Sequence, residues 1–203
     1  MKPFIRPLRL LPYLLTPLAF LLCVSADAQP MITARYIDYY PSTLFGREIS
    51  ETLMTTGSAK EITLNISGPT SNVVFGMSLL LEEFTITDRE PGTNSYAMTS
   101  TGVLTDLRYR FSTSPIQPYV AAQMGFSFLD ISSISEGEQE PLNDAGMLIV
   151  PSCGVTFVIR KLIMLDLSIR SHHSLGSEIH LDNNLKTIGF NGVGVGIGAG
   201  LIF

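Results

Sequence analysis

Apolar residues recur at every second position along most of this chain, and that period belongs to a strand rather than a helix. The alternation marks eight stretches, residues 31–40, 61–67, 73–87, 96–111, 119–128, 147–159, 163–172 and 187–203. The last is the plainest. Val193, Val195, Ile197, Ala199, Leu201 and Phe203 alternate with Gly192, Gly194, Gly196, Gly198 and Gly200, so one face is an apolar stripe and the other has no side chains. At roughly 3.3 Å per residue and a tilt near 45°, about 11 residues cover about 23 Å, the height of the apolar band of a membrane barrel. The bare face leaves room for long side chains from neighbouring strands inside a narrow barrel.

The opposing faces of the other stretches are polar. Residues 31–40 set Ile32, Ala34 and Tyr36 against Thr33 and Arg35, and 61–67 set Ile62, Leu64 and Ile66 against Thr63 and Asn65. In 73–87, Val73, Phe75, Met77, Leu79 and Leu81 oppose Gly76, Ser78 and Glu82; in 96–111, Val103, Leu107, Tyr109 and Phe111 oppose Asp106, Arg108 and Arg110. Stretch 163–172 sets Ile163, Leu165, Leu167 and Ile169 against Asp166, Ser168, Arg170 and His172. Long polar connections (41–60, around Glu90-Pro91-Gly92, 132–144, 174–186) alternate with short ones (67–72, 112–118, Arg160-Lys161). That order predicts an all-β fold, an eight-stranded antiparallel up-and-down transmembrane barrel with short periplasmic turns and long external loops. A soluble lipocalin-like barrel has the same count with its apolar face inward. The glycine strand decides between them, because it would give a water-soluble barrel a solvent face of bare glycine.

Composition agrees. The 203 residues are 45% hydrophobic and only 15% charged, with a formal charge of −5. Outside the N-terminus no apolar run approaches the 18 or so residues a membrane helix needs. Residues 1–28 read as a cleaved signal peptide: a basic start, an apolar core from Leu10 to Val24, and small residues at Ala26 and Ala28. Residues 29–203 are then the barrel domain, with ten basic and seventeen acidic residues, a balance that excludes nucleic acid as a partner. Cys153 is its single cysteine, so neither an internal disulfide nor a zinc-type cluster is expected. The run Gly194-Val195-Gly196-Ile197-Gly198-Ala199 fits a loose dinucleotide fingerprint, but no helix follows it, and no cofactor is expected.

The segments Leu107-Arg108-Tyr109-Arg110-Phe111 and Pro118-Tyr119-Val120-Ala121-Ala122-Gln123-Met124-Gly125-Phe126 resemble the middle strands of the small outer-membrane β-barrel family that includes OmpA-like, OmpX-like and porin-family barrels. The resemblance implies a bacterial outer-membrane location, contact with outer-membrane lipid, and a terminal aromatic, here Phe203, that the barrel-assembly machinery reads in the C-terminal strand. It implies no single activity. The chain lacks Trp, which leaves Tyr36, Tyr109, Phe111, Phe157 and Phe203 for the aromatic girdles.

Two groups of residues carry candidate chemistry. Arg35, Glu82, Asp106, Arg108, Arg110, Asp166 and Arg170 face inward by parity, in a lumen that eight strands make only wide enough for side chains. Buried charges must be paired, so a filled, ion-paired interior is expected rather than a pore. His172-His173-Ser174 resembles the His-x-Ser-Asn motif of outer-membrane lipid A deacylases, with His172 as base and Ser174 as nucleophile. Leu175 stands where that motif has Asn, Lys186 stands near the place of its acid with Glu178 and Asp182 close by, and parity turns His172 and Ser174 away from lipid. The expectation is a non-enzymatic barrel with a structural or surface-interaction role and a loop ligand left open. A lipid A-modifying enzyme and a small channel are the alternatives.

Overall fold

The structure, a computed structural model, describes residues 28–41, 53–68, 70–88, 95–133, 142–175, 179–181, 186–188 and 191–203. Its ten strands are β1 (Gln29–Pro41), β2 (Leu53–Ser67), β3 (Val73–Asp88), β4 (Ser95–Arg110), β5 (Ile116–Ser133), β6 (Leu142–Ile159), β7 (Ile163–Leu175), β8 (Ile179–Leu181), β9 (Lys186–Ile188) and β10 (Asn191–Ile202). Eight of them close antiparallel in the order β1-β10-β7-β6-β5-β4-β3-β2, and β8 and β9 form a separate two-stranded sheet. Closure satisfies the backbone within the wall and leaves no edge.

The strand register fixes the size of the barrel. From Tyr36, pairing through β2 (Lys60), β3 (Leu81), β4 (Thr101) and β5 (Phe128) reaches Ala145 on β6. Through β10 (Ile197) and β7 (Leu167), it reaches Val155 on the same strand. The stagger is therefore 10 residues, which for eight strands corresponds to a tilt of roughly 40° and an interior filled by side chains.

Alternation sets what faces where. Ile62, Phe75, Leu107, Phe126, Ile169, Val195 and Ile197 are exposed on the outer wall, whereas Arg35, Glu61, Asp106, Asp166 and Arg170 are buried inside it. An apolar exterior around a charged core is the inverse of a water-soluble barrel and identifies the outer wall as a lipid surface.

Several strand bounds and connection lengths differ from those expected of the sequence. β2 starts at Leu53 rather than 61, because Gly57, Ser58 and Ala59 go on pairing with Phe84, Glu83 and Glu82 after the apolar alternation has ended. β5 continues to Ser133 and β6 begins at Leu142, shortening the expected 132–144 loop. The connection between β3 and β4 is only 89–94, close in length to the 68–72 turn. Part of the 174–186 loop is the β8–β9 hairpin, which takes Lys186–Ile188 from the start of the closing strand; β10 begins at Asn191. In β2, β5 and β6 the backbone pairing outlasts the apolar alternation, and hydrophobic pattern cannot see it.

The Arg160-Lys161 turn joins β6 to β7. Both residues have positive φ, 51° and 58°, and the Leu162 amide donates to the Ile159 carbonyl at 3.1 Å. That is a type I′ geometry, adopted without the glycine or asparagine it favours.

Candidate functional site

The interior is layered. On β1, inward residues run Met31, Thr33, Arg35, Ile37, Tyr39, so a polar middle lies between an apolar residue at the short-turn end and apolar and aromatic residues beyond it. At the short-turn end Met31, Val74 and Met164 form an apolar cluster with Val158 and Ile202 packed on it. The ion layer follows. Above it Ile37, Leu80, Leu104, Leu148 and Val150 are each no more than 1% exposed.

Two carboxylates organise the ion layer. Asp166 accepts from Arg35 Nε at 2.7 Å, from the Tyr119 hydroxyl at 3.1 Å and from Thr156 at 2.9 Å, with Arg108 Nη1 at 3.5 Å. Glu61 accepts from Arg170 Nη2 at 2.8 Å, from Arg35 Nη1 at 3.2 Å, and from the Gln123 amide. Gln123 and Thr63 both meet the Ser78 hydroxyl, and Arg35 also donates to Thr63 at 2.9 Å. Arg108 lies over the Tyr119 ring, 4.1 Å from its centre, and reaches Asp106 at 3.7 Å. In a low-dielectric interior such charges persist only when paired.

The buried charges balance: Arg35, Arg108, Arg110 and Arg170 against Glu61, Glu82, Asp106 and Asp166. Of the residues named from the sequence, Arg35, Asp106, Arg108, Asp166 and Arg170 come together in this layer. Arg110 stands at the short-turn end on neutral acceptors, Gln117, Ser67 and the Ser71 carbonyl. Glu82 lies beyond the second apolar layer, where its Oε1 is 3.0 Å from His172 Nδ1 and Tyr39 and Phe84 pack edge-on to the imidazole.

Glu61 was missed as a network member because it opens the apolar alternation and reads as a strand boundary. Its parity with Thr63 and Asn65 is the signal that places it inside. Tyr119 and Gln123 lie on the inward parity of β5, but their partners lie 47 and 62 residues away, which spacing does not show.

The glycines of β10 make this layer possible. A Cβ on Gly198 would lie 2.6 Å from Arg35 Cγ, and one on Gly194 would lie 2.8 Å from both Ile37 and Tyr39. The bare strand is the floor across which β1 side chains cross the lumen.

His172 is buried inside the barrel, away from lipid. Ser174 pairs with Leu148 at the end of β7; its side chain, Glu178 and Asp182 lie outside the described residues. On the outer parity of the same strand, Ser171 Oγ and His173 Nε2 are 2.8 Å apart. Cys153 is exposed on the outer wall.

A closed, staggered eight-strand wall with an apolar outside and an ion-paired inside defines the small outer-membrane β-barrel fold. The chain is similar in structure to the N-terminal β-barrel domain of Pseudomonas aeruginosa OprF (TM-score 0.52, 12% identity, covering 86% of this chain and 97% of that one). It is also similar to Neisserial surface protein A (0.53, 16%, 88% and 98%). A third likeness is to Ail, the attachment invasion locus protein of Yersinia pestis, in complex with the heparin analogue sucrose octasulfate (0.53, 12%, 87% and 99%). No family model and no curated protein matches the sequence.

Proposed function

We propose that this chain is a non-enzymatic bacterial outer-membrane barrel with a structural or surface-interaction role. Residues 1–28 serve as a cleaved leader, and the last strand with Phe203 is the segment offered to the barrel-assembly machinery. The observation that carries the reading is the balanced charge layer, covered on one side by Ile37, Leu80, Leu104, Leu148 and Val150 and on the other by the Met31, Val74 and Met164 cluster beside Arg110. It fills the lumen with side chains that pair with one another across strands, so the barrel acts through its wall and its loops rather than by conduction. The short turns then face the periplasm and the 42–52, 134–141 and 176–190 connections face outward. Glu136, Glu138 and Glu140 in the second of these make a sulfated polyanion, the ligand in the Ail complex, a poor fit here.

The second reading, a lipid-modifying enzyme, is favoured by one contact: Ser171 and His173 present a hydroxyl and an imidazole to the lipid side at 2.8 Å. One experiment addresses both. Membranes expressing the protein are fractionated, the protein is run unboiled and boiled on SDS gels, and its lipid A is analysed by mass spectrometry. The proposal expects outer-membrane recovery, a heat-dependent shift and unaltered lipid A. Recovery in the soluble fraction would overturn the membrane reading. Loss of an acyl chain, abolished by Ser171→Ala and His173→Ala, would replace the non-enzymatic one.

A further inference from the structure

The outer wall is not equally tall all round. On β1 the outward residues Pro30, Ile32, Ala34 and Tyr36 are followed by Asp38; on β2, Ile66, Leu64 and Ile62 are followed by Lys60. On β5 every outward position from Ile116 to Phe128 is apolar, seven in succession, and β6 has seven more from Ile159 to Met147. Along a strand tilted by roughly 40°, successive outward residues rise about 5 Å, so the belt is about 10–15 Å tall on β1 and β2 and about 30 Å on β5 and β6. In the ring β1 stands opposite β5, and β2 opposite β6. The apolar band of an outer-membrane barrel is about 25 Å tall, which the β5–β6 wall spans and the β1–β2 wall does not.

The polar residues that end the short belt are committed to a polar setting. Lys60 extends toward Glu83 (3.9 Å), both side chains more than two-thirds exposed, and Tyr40 donates to Asp38 at 2.9 Å. Tilting the barrel cannot reconcile the two walls. A tilt that lifts Lys60 to the surface draws the other end of β2 into hydrocarbon by the same distance, and leaves the belt heights unequal.

We propose that the β1–β2 wall is a lipid-thinning surface: the bilayer against it is compressed to the height of its short apolar belt, while lipid along β5–β6 keeps its ordinary thickness. This rests on the membrane reading above. The partner is bilayer lipid itself, whose headgroups descend to solvate Asp38 and Lys60. A shortfall in belt height costs fractions of a kcal/mol per Å, which thinning and side-chain extension absorb. The thinned zone adjoins β1, the strand that closes the barrel on β10.

The test compares two positions at almost the same level. Pairing from Lys60 around to Ala145 crosses four strands, and the stagger lifts that path by about five residues, so Ile149, four residues below Ala145, stands about 2.5 Å above Lys60. Single nitroxides are placed at Lys60→Cys, Ile149→Cys and Ile66→Cys in a Cys153→Ala background. The full barrel is reconstituted in phosphatidylcholine vesicles, and accessibility to oxygen and to a water-soluble nickel chelate is read at each label. Thinning predicts an oxygen-to-chelate ratio at position 149 about tenfold that at position 60, with position 66 also reading as interface. Equal ratios at 60 and 149 in inserted barrels would overturn the inference alone. A hydrocarbon reading at 66 with an interface reading at 60 would replace it with rigid tilt. Chelate access at all three, with no insertion, would overturn the membrane reading and the inference together.

Discussion

Arg35 and Asp166 are in contact although their strands are not neighbours: Nε lies 2.7 Å from Oδ2, and β10 runs between β1 and β7. The arginine crosses the glycine face of β10, and the same guanidinium reaches Glu61 on β2. One side chain thereby ties strands on both sides of the junction where the chain's first and last barrel strands meet. Asp166→Asn and Arg35→Leu should each lower stability by about 3–5 kcal/mol, because each leaves a buried charge without its partner. In urea refolding titrations of both single variants and the double variant, the double should lose less than the two singles added together. Strict additivity would show that the pair contributes nothing as a pair.

Gly198→Ala should be destabilising by about 1–3 kcal/mol, since its Cβ would meet Arg35 Cγ at 2.6 Å and the Ala34 carbonyl at 2.8 Å. In an Arg35→Ala background part of that cost should disappear, leaving the backbone contact. An undiminished penalty would place the strain elsewhere than at the crossing arginine.

Val195, 53% exposed on the outer wall, tests the facing of the same strand. Val195→Arg should cost about 2–4 kcal/mol in lipid-reconstituted protein if it lies near the bilayer midplane. A neutral result in a folding titration would contradict the lipid assignment of that face.

At the β6–β7 turn, Lys161→Gly should stabilise the barrel by about 0.5–1 kcal/mol. A left-handed φ of 58° strains a residue with a Cβ, and relief outweighs the added freedom of the unfolded chain. Thermal or urea unfolding of the two proteins side by side gives the sign; destabilisation would mean that the lysine side chain makes a contact worth more than the strain.

The barrel was legible in the sequence because parity is a local signal. Leu107 and Arg108 need no partner in view to be sent to opposite faces, and β10 carries its facing in its glycines. The layering was not legible to the same degree. Leu80, Leu104, Leu148 and Val150 are apolar residues on the inner parity, and they stand out only once eight strands are in register and those positions align into a layer. Glu61 was obscured by its place at the end of the apolar alternation, although β2 continues eight residues before it. The pairing of Arg35 with Asp166 required the stagger, which no stretch of sequence contains.

The sealed lumen is the central claim, and planar-bilayer recording of the purified, refolded protein tests it most directly. With Arg35, Glu61, Asp166 and Arg170 mutually paired, the Ile37, Leu80 and Leu104 layer on one side and the Met31, Val74 and Met164 cluster on the other, the protein should show no large, steady conductance at any holding potential at which the bare bilayer is stable. A persistent, porin-sized conductance whose ion selectivity changes in Arg108→Ala or Arg170→Ala would contradict it, and would make the charged interior a conduction path.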